Sequence, residues 1–160
     1  MGVDSQLRFG VLPKGRNNMI TDVPGVLVGH VTRDDRCIQT GVTAIVPGPG
    51  SPFLNKFPAA AHVINGFGKS CGLMQIQELG TLETPVLLTN TFSVPVCTSG
   101  LLTHMLAEHE EIGTVTGTVN PVVLECNDGH LNAIRNRVIT EEDALQAIHS
   151  ASAYCAEGAI

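Results

Sequence analysis

The chain has 160 residues, of which 43% are hydrophobic and 15% are charged, and its formal net charge is −6. This length and composition indicate one folded domain with a sizeable core, and they argue against a disordered chain or a second domain. The negative charge, with no stretch that concentrates Lys or Arg, argues against binding to nucleic acid or to anionic membrane.

The N-terminal half of the sequence predicts three strands after an irregular arm at residues 8–18. Pro24-Gly25 forms a turn, and residues 26–32 follow as a strand whose two faces are both largely apolar, which is typical of a sheet covered on two sides. Residues 41–46 form the second strand and residues 59–64 the third. We expect the second and third strands to be antiparallel neighbours.

The C-terminal half alternates strands with helices. Residues 73–79 fit a short helix as well as a strand, and residues 85–91 form a short apolar strand. Ser93 then lies at an N-cap position, which predicts a helix to about Glu111 that Gly113 terminates. The apolar residues of this helix share one face at helical spacing: Val94, Cys97, Leu101, Leu102, Met105 and Leu106.

One more strand and one more helix complete the predicted order. The apolar run at residues 122–124 predicts a short buried strand, and residues 114–120 before it predict a solvated edge or loop. Thr140 caps the last helix, with Asp143 at the third helical position as a capping-box variant. Its predicted buried stripe is Ala144, Leu145, Ile148, Ala151 and Cys155. This order of elements predicts a mixed α/β layered architecture.

Two stretches match known catalytic motifs only in part. His104, Glu108 and His109 read H-x-x-x-E-H, which misses both zinc-protease spacings and favours a solvated helix face. Residues 65–70 end in Gly-Lys-Ser, but Val63 stands where a phosphate-binding loop needs its first glycine, so nucleotide binding is discounted. No residue lies in a G-x-S-x-G nucleophile motif.

The five cysteines are far apart in the sequence and form no C-x-x-C pair. They argue against a zinc site or a disulfide framework and indicate a reducing cytoplasm. No apolar run is long enough for a membrane span, and the N-terminus lacks the apolar segment of a secretory signal. Cys126, beside Glu125, is predicted to be a buried structural cysteine. The sequence predicts no cofactor and no metal.

Polar side chains follow three of the predicted strands. They are Asn65 after residues 59–64, Asn90 after residues 86–88, and Glu125, Asn127 and Asp128 after residues 122–124. A strand that runs into an Asn-Asp-Gly turn is the simpler interpretation of the last group. Buried carboxylates are costly unless they are paired, however, and three strand ends of this kind together predict the wall of a pocket. Amides suit a substrate carbonyl or oxyanion, and a carboxylate suits an amine.

Several motifs occur in a fixed order from about residue 17 to the last residue. They are NMITDVPGV with VGH (residues 18–30), TGVTAI (40–45), Asn65-Gly66, LTNT with Ser93-Val94 (88–94), and PVV with Glu125, Asp128 and Leu131-Asn132 (121–132). In this order and spacing they resemble the DmpA/BapA group of aminopeptidases, peptidase family S58.

The resemblance implies an N-terminal-nucleophile-like hydrolase with an αββα sandwich, the fold of ornithine acetyltransferase. Enzymes of this group are made as one precursor that cleaves itself, and the new N-terminal Ser or Thr of the smaller subunit is the nucleophile. They release N-terminal residues from peptides, amides or esters, with D- or β-amino acids accepted in some members. They need no metal and assemble as homo-oligomers, usually tetramers of the two-subunit unit.

The resemblance also assigns residues. Glu125 lies where family members hold the free amino group of the substrate, and Asn65, Asn90 and Asp128 are expected around the same pocket. Position 127 is commonly aromatic in the family, and one member has a catalytic Tyr there. Asn127 departs from that pattern, so no catalytic role is carried over to it and an altered pocket is expected.

No residue of this chain matches the family nucleophile, which lies beyond a Gly-rich loop that would follow residue 160. We therefore expect residues 1–160 to be the N-terminal (α-subunit) part of a single domain, inactive alone. The C-terminal (β) subunit or the remainder of the precursor is the expected partner, and Ala159-Ile160 would continue into it. Two alternatives remain open: a non-catalytic amine- or peptide-binding fragment or truncated relative, and an acyltransferase of the same fold.

Overall fold

A four-stranded sheet with two helices on one face forms the centre of the protein. The structure is a computed structural model that describes residues 10–155. Residues 8–9 of the predicted arm and the predicted continuation of Ala159-Ile160 lie outside this range. The strands are β1 (Leu27–Asp35), β2 (Ile38–Val46), β3 (Phe57–Pro58), β4 (Thr81–Leu82), β5 (Val86–Asn90) and β6 (Val122–Cys126). The helices are α1 (Leu73–Leu79), α2 (Val94–Glu108) and α3 (Glu141–His149), with 3₁₀ turns at Ile20–Asp22 and Ile134–Asn136.

The sheet has the strand order β1-β2-β5-β6. The pairs β1–β2 and β2–β5 are antiparallel, and β5–β6 is parallel. The parallel pair requires a crossover, and α2 supplies it between β5 and β6. Cys71 and Val123 bond to each other through their backbones along β6, and Val28 and Ser152 do the same along β1. Within residues 10–155, no helix is long and apolar enough to cross a membrane.

The main core lies between the sheet and the α2–α3 layer. The sheet contributes alternate residues, because successive side chains of a strand point to opposite faces. The residues of this core include Val31, Val42, Ala44, Leu87 and Val123 from the strands, and Cys97, Leu101, Met105, Ala144, Ala147 and Ile148 from the helices. Burial in this apolar layer raises the pKa of the Cys97 thiol to about 11.

The opposite face of the sheet is covered only in part. Helix α1 and the β3–β4 ribbon pack on the β5–β6 end through Ile76, Leu82 and Val122, which form a second, smaller core. Further along this face, Leu88 and Ile45 remain half-buried. One face of the four-stranded sheet is therefore covered by helices, and the other face is partly open.

Most predicted elements are confirmed, and the predicted third strand is wrong. Strands occur at residues 26–32, 41–46, 85–91 and 122–124 with small changes of boundary, and the ambiguous residues 73–79 form a helix. Residues 59–64 form no strand. The predicted antiparallel pairing of the second and third strands is also wrong, because β2 is already bonded to β1 on one edge and to β5 on the other.

The ends and buried faces of the two long helices also differ from prediction. Helix α2 ends at Glu108, and Gly113 lies in the turn that follows, with φ of 74°. This early end lets Ile112 fold back into the core. Leu106 is exposed and Leu102 half-buried, because they lie at the margin of the face that meets the sheet. Helix α3 ends at His149, so the predicted stripe residues Ala151 and Cys155 follow it.

The predicted capping box of α3 is confirmed and extends into an ion pair with the sheet. Asp143 is fully buried; its carboxylate accepts hydrogen bonds from the Thr140 backbone N–H and hydroxyl, both at 2.9 Å. The same carboxylate pairs with the Arg33 guanidinium of β1. One buried carboxylate thus both begins α3 and attaches it to the edge of the sheet.

Replacing Asp143 with Asn keeps the side-chain shape and removes the charge. We expect it to lower the free energy of unfolding by about 2 kcal/mol, because a charge-assisted bond to half-exposed Arg33 and a good cap acceptor are both weakened. Glu142→Gln, an exposed change in the same helical turn, is the control and should have almost no effect. Chemical denaturation of the three proteins measures this, and equal stability of all three would contradict it.

Gly29 sets the distance between β1 and α3. A Cβ atom at this position would lie 2.1 Å from the Ala147 carbonyl oxygen and 2.7 Å from the Ala151 nitrogen. Both contacts are with backbone atoms, so the helix end itself would have to move. Only a residue without a side chain allows this close approach.

The variant Gly29→Ala should therefore lower the free energy of unfolding by at least about 2 kcal/mol, because the added Cβ overpacks the contact. Gly117→Ala is the matched control, since a Cβ there meets nothing within 4 Å. Thermal unfolding followed by circular dichroism compares the two variants with the parent. A Gly29→Ala protein as stable as the Gly117→Ala protein would show that α3 does not approach β1 this closely.

Candidate functional site

A large cavity lies on the partly open face of the sheet. It has a volume of about 790 Å³ and lies between residues 59–70, helix α1 and the ends of β5 and β6. Its floor is apolar and includes Ile76, Leu82, Val122 and Leu124. Polar groups occupy one end, where Glu125 is the only carboxylate among the described lining residues. We call this the Glu125 cavity.

Two uncharged donors hold the Glu125 carboxylate in place. The Thr91 hydroxyl donates to Oε2, and the Lys69 backbone N–H donates to Oε1 at 3.1 Å. The parallel register places Thr89 beside Glu125, which brings the residues after β5 to the end of β6. Glu125 forms no ion pair within residues 10–155. It is half-buried and lines the cavity, where no cation of the described residues pairs with it.

The ammonium group of the lysine that lines this cavity bonds to a residue other than Glu125. Lys69 lines the cavity, but its Nζ donates to the Phe67 carbonyl at 2.9 Å and lies 4.6 Å from the centre of the Phe67 ring. Gly68 precedes it, and a Cβ at that position would lie 2.9 Å from Glu125 Oε1. The segment 67–69 thus approaches the carboxylate through its backbone. The Lys69 ammonium group forms no ion pair with Glu125.

Of the other predicted site residues, Asn65 and Asn127 line the same cavity. Both are exposed, and both use the side-chain carbonyl in a local turn: Asn65 Oδ1 accepts from Phe67 N at 3.1 Å, and Asn127 Oδ1 accepts from Gly129 N at 2.9 Å. Their side-chain NH₂ groups donate to no other described residue. They are therefore open to a bound molecule.

Asn90 and Asp128 lie in a neighbouring cavity of about 310 Å³, between β2, β5 and the loop after β6. Asn90 is buried, and both ends of its amide are bonded: Oδ1 accepts from Phe92 N and Ser93 N, and Nδ2 donates to Thr40 Oγ1 at 2.7 Å. It closes the turn from β5 into α2. Its hydrogen-bonding groups already have protein partners.

Asp128 is likewise engaged with protein groups. Both carboxylate oxygens accept from Asn132 Nδ2 at 3.2 Å, and Asn132 Oδ1 accepts from the Gln39 N–H at 3.3 Å. This chain of bonds fixes the loop after β6 to strand β2. Glu125, Asn65 and Asn127 thus share one cavity, whereas Asn90 and Asp128 shape the next one.

The prediction that Cys126 is buried is wrong. Cys126 ends the edge strand β6, is exposed, and lines both cavities. Sequence reasoning also assigned no role to Thr91 and Lys69, the two donors to Glu125. Thr91 lies next to Asn90 in the LTNT motif, and only the parallel register of β5 and β6 reveals that it reaches the carboxylate.

The histidines of α2 and α3 lie apart from these cavities. His104 packs against His149 with ring centroids 5.8 Å apart, and it is half-buried where full solvation was predicted. Burial lowers the pKa of His104, while the nearby Glu108 carboxylate acts in the opposite direction. Within the described residues, no three His, Cys, Asp or Glu side chains are grouped so that they could hold a metal ion.

Known proteins resemble this chain in sequence and in structure. The family described as Peptidase family S58 matches residues 18–160. The β-peptidyl aminopeptidase BapA of Sphingosinicella microcystinivorans is 35% identical over 147 residues, which cover 86% of this chain and 36% of that protein. The chain thus spans little more than a third of the length of this relative.

Two solved structures share the fold. The PH0078 protein of Pyrococcus horikoshii OT3 superposes with a TM-score of 0.92 at 46% identity, over 96% of this chain and 47% of its own. An L-aminopeptidase D-Ala-esterase/amidase of Ochrobactrum anthropi, described as a variant of the Ntn hydrolase fold, gives 0.82 at 29% identity, over 96% and 46%. The predicted αββα fold class, incomplete in this chain, is confirmed. On the family match and these relatives, the chain belongs to peptidase family S58.

Proposed function

We propose that this chain provides the amine-binding part of an aminopeptidase-type hydrolase that releases N-terminal residues from peptides, amides or esters. The observation that carries the proposal is the Glu125 carboxylate, which forms no ion pair with any residue of the range 10–155 and lines a large apolar-floored cavity. Membership of the family supports the reaction type, since its relatives include a β-peptidyl aminopeptidase and an L-aminopeptidase.

Glu125 would hold the free ammonium group of the substrate. The Thr91 hydroxyl and the Lys69 N–H fix the position of its two oxygens without neutralising the charge, so a substrate cation is the partner the site lacks. Asn65 and Asn127 would line the same pocket and offer amide donors to the substrate backbone. Asn127 is given no catalytic role.

Asn90 and Asp128 would act at the neighbouring cavity by fixing its walls. Their side chains are already bonded to Thr40 and Asn132, which favours a positioning role over direct contact with a substrate. No cofactor or metal enters the proposal.

The nucleophile would come from polypeptide that is not among residues 1–160. In this proposal these residues are the N-terminal (α-subunit) part of one domain, inactive alone, and self-cleavage of a precursor creates a Ser or Thr nucleophile on the second part. The chain spans only 36% of BapA, and the half-buried residues Ile45 and Leu88 offer an apolar sheet face against which that part could pack. We further propose that the complete units form a homo-oligomer.

A cytoplasmic location is part of the same proposal. All five cysteines are free thiols, including the exposed Cys37 and Cys126. Free exposed thiols are typical of proteins kept in a reducing compartment.

The variant Glu125→Gln tests the amine-binding role in the complete enzyme. We expect KM for free-amine substrates to rise about 10- to 100-fold while kcat changes little, because a charge-assisted hydrogen bond of about 1.5–3 kcal/mol is lost. Glu110→Gln, at an exposed position in the turn after α2, is the control. Steady-state kinetics on an amino-acid amide gives both constants. An unchanged KM would show that Glu125 does not bind the substrate amine.

Intact mass under denaturing conditions tests the origin of the nucleophile. We expect the active protein to contain a second polypeptide that begins with Ser or Thr, beside a chain that carries residues 1–160. Replacing that first residue with Ala in the gene should leave one uncleaved precursor. Activity from a preparation that holds the 16.9 kDa chain alone would contradict the proposal.

A further inference from the structure

A separate polar cavity lies at the N-terminus of helix α2. It has a volume of about 390 Å³ and is lined by Ser93, Arg135, Arg137 and the apolar residues Phe92, Val96 and Ile139. It shares no described lining residue with the Glu125 cavity or with the cavity of Asn90 and Asp128. The site proposed above therefore does not account for it.

The electrostatics of the helix end favour an anion. Helix α2 has 15 residues, and the aligned peptide dipoles of such a helix place a partial positive charge at its N-terminus. No acidic residue lies in its first turn, and the Ser93 side chain does not cap it. The first-turn N–H groups of a helix have no acceptor within the helix and are satisfied from outside.

The Ser93 hydroxyl is a buried donor without a partner among the described residues. Ser93 is only 1% exposed, and its Oγ forms no hydrogen bond with any residue of the range 10–155. Buried hydroxyl groups are nearly always hydrogen-bonded, so an unpaired one needs an explanation. Ser93 lines this cavity, and a bound acceptor there would satisfy it.

Two arginines line the same cavity. Arg135 lies in the 3₁₀ turn Ile134–Asn136, and Arg137 follows it directly; both are exposed. Neither forms an ion pair within the described part of the chain, and no carboxylate is among the described lining residues. The chain carries 15 acidic and 9 basic residues, so two unpaired guanidinium groups at one cavity mark a locally positive site. Guanidinium groups bind carboxylate and phosphate oxygens in bidentate geometry.

We propose that this cavity is a binding site for a small oxyanion, either a phosphate group or a carboxylate. The guanidinium groups of Arg135 and Arg137 bind its oxygens, the Ser93 hydroxyl donates a further hydrogen bond, and the positive end of α2 stabilises the charge. The phosphate and carboxylate sources share this chemistry, and the experiment below distinguishes them.

Calorimetric titration of the full protein that carries this chain tests the site. Inorganic phosphate and acetate are added separately at constant ionic strength, with chloride as the reference anion. We expect saturable binding of phosphate or of acetate, and the tighter of the two identifies the class of ligand. The double variant Arg135→Gln/Arg137→Gln should weaken this binding at least about tenfold. An equal response to chloride, or full binding by the double variant, would overturn the proposal.

Arg36→Gln is the matched control. Arg36 is an exposed arginine with φ of 51°, close to the 49° of Arg137, but it lies in the β1–β2 turn. One positive charge, half of that lost in the double variant, is removed from the same kind of backbone at a residue that does not line the cavity. We expect its phosphate and acetate affinities to equal those of the parent protein. A loss of anion affinity as large as that of the double variant would indicate a general charge effect and would overturn the proposal.

Ser93→Ala separates anion binding from a structural role. Because the hydroxyl bonds to no residue of the range 10–155, its removal should not lower Tm in anion-free buffer, whereas the affinity for the anion should fall about threefold or more. A lower Tm without anion would show that the hydroxyl supports the fold instead. An unchanged affinity would remove Ser93 from the site.

Discussion

The parallel pairing of β5 and β6 is the constraint on which the site depends. Parallel strands end at the same edge of a sheet, so the residues that follow β5 and β6 meet there. The register pairs Thr89 with Glu125 and Asn90 with Cys126. As a result Thr91 reaches the carboxylate of Glu125, while the chain turns at Asn90 and enters α2. Without this register Thr91 and Glu125, which are 34 residues apart in the sequence, would not meet.

The two faces of the sheet differ in how completely they are covered, and this difference provides space for the cavities. Helices α2 and α3 seal one face, with Gly29 and the buried Asp143 drawing α3 close to β1. The other face is covered by the short helix α1, a two-residue ribbon and the loop at residues 59–70. Residues 59–64, which form no strand, line the apolar-floored cavity on this face.

The polar residues at the strand ends divide into two groups according to their partners. Asn90 and Asp128 are bonded to protein groups and fix the turn into α2 and the loop after β6. Glu125 is held by two uncharged donors and forms no ion pair with a described residue. Residue type could not separate these groups, because an Asn or a carboxylate serves equally well as a cap, a tether or a ligand. Only the partner of each oxygen distinguishes them.

The sequence by itself determined the strands at residues 26–32, 41–46, 85–91 and 122–124, the helix that begins after Ser93, the capping box of Thr140 and Asp143, and the family. These depend on local periodicity, caps and ordered motifs, which a linear chain displays directly. The tertiary structure alone decided that residues 59–64 are a loop, that Cys126 is exposed, and that Thr91 and Lys69 hold Glu125. It also brought Arg135 and Arg137 to the start of α2. Pairing and burial depend on which distant segments meet, and no local pattern specifies those partners.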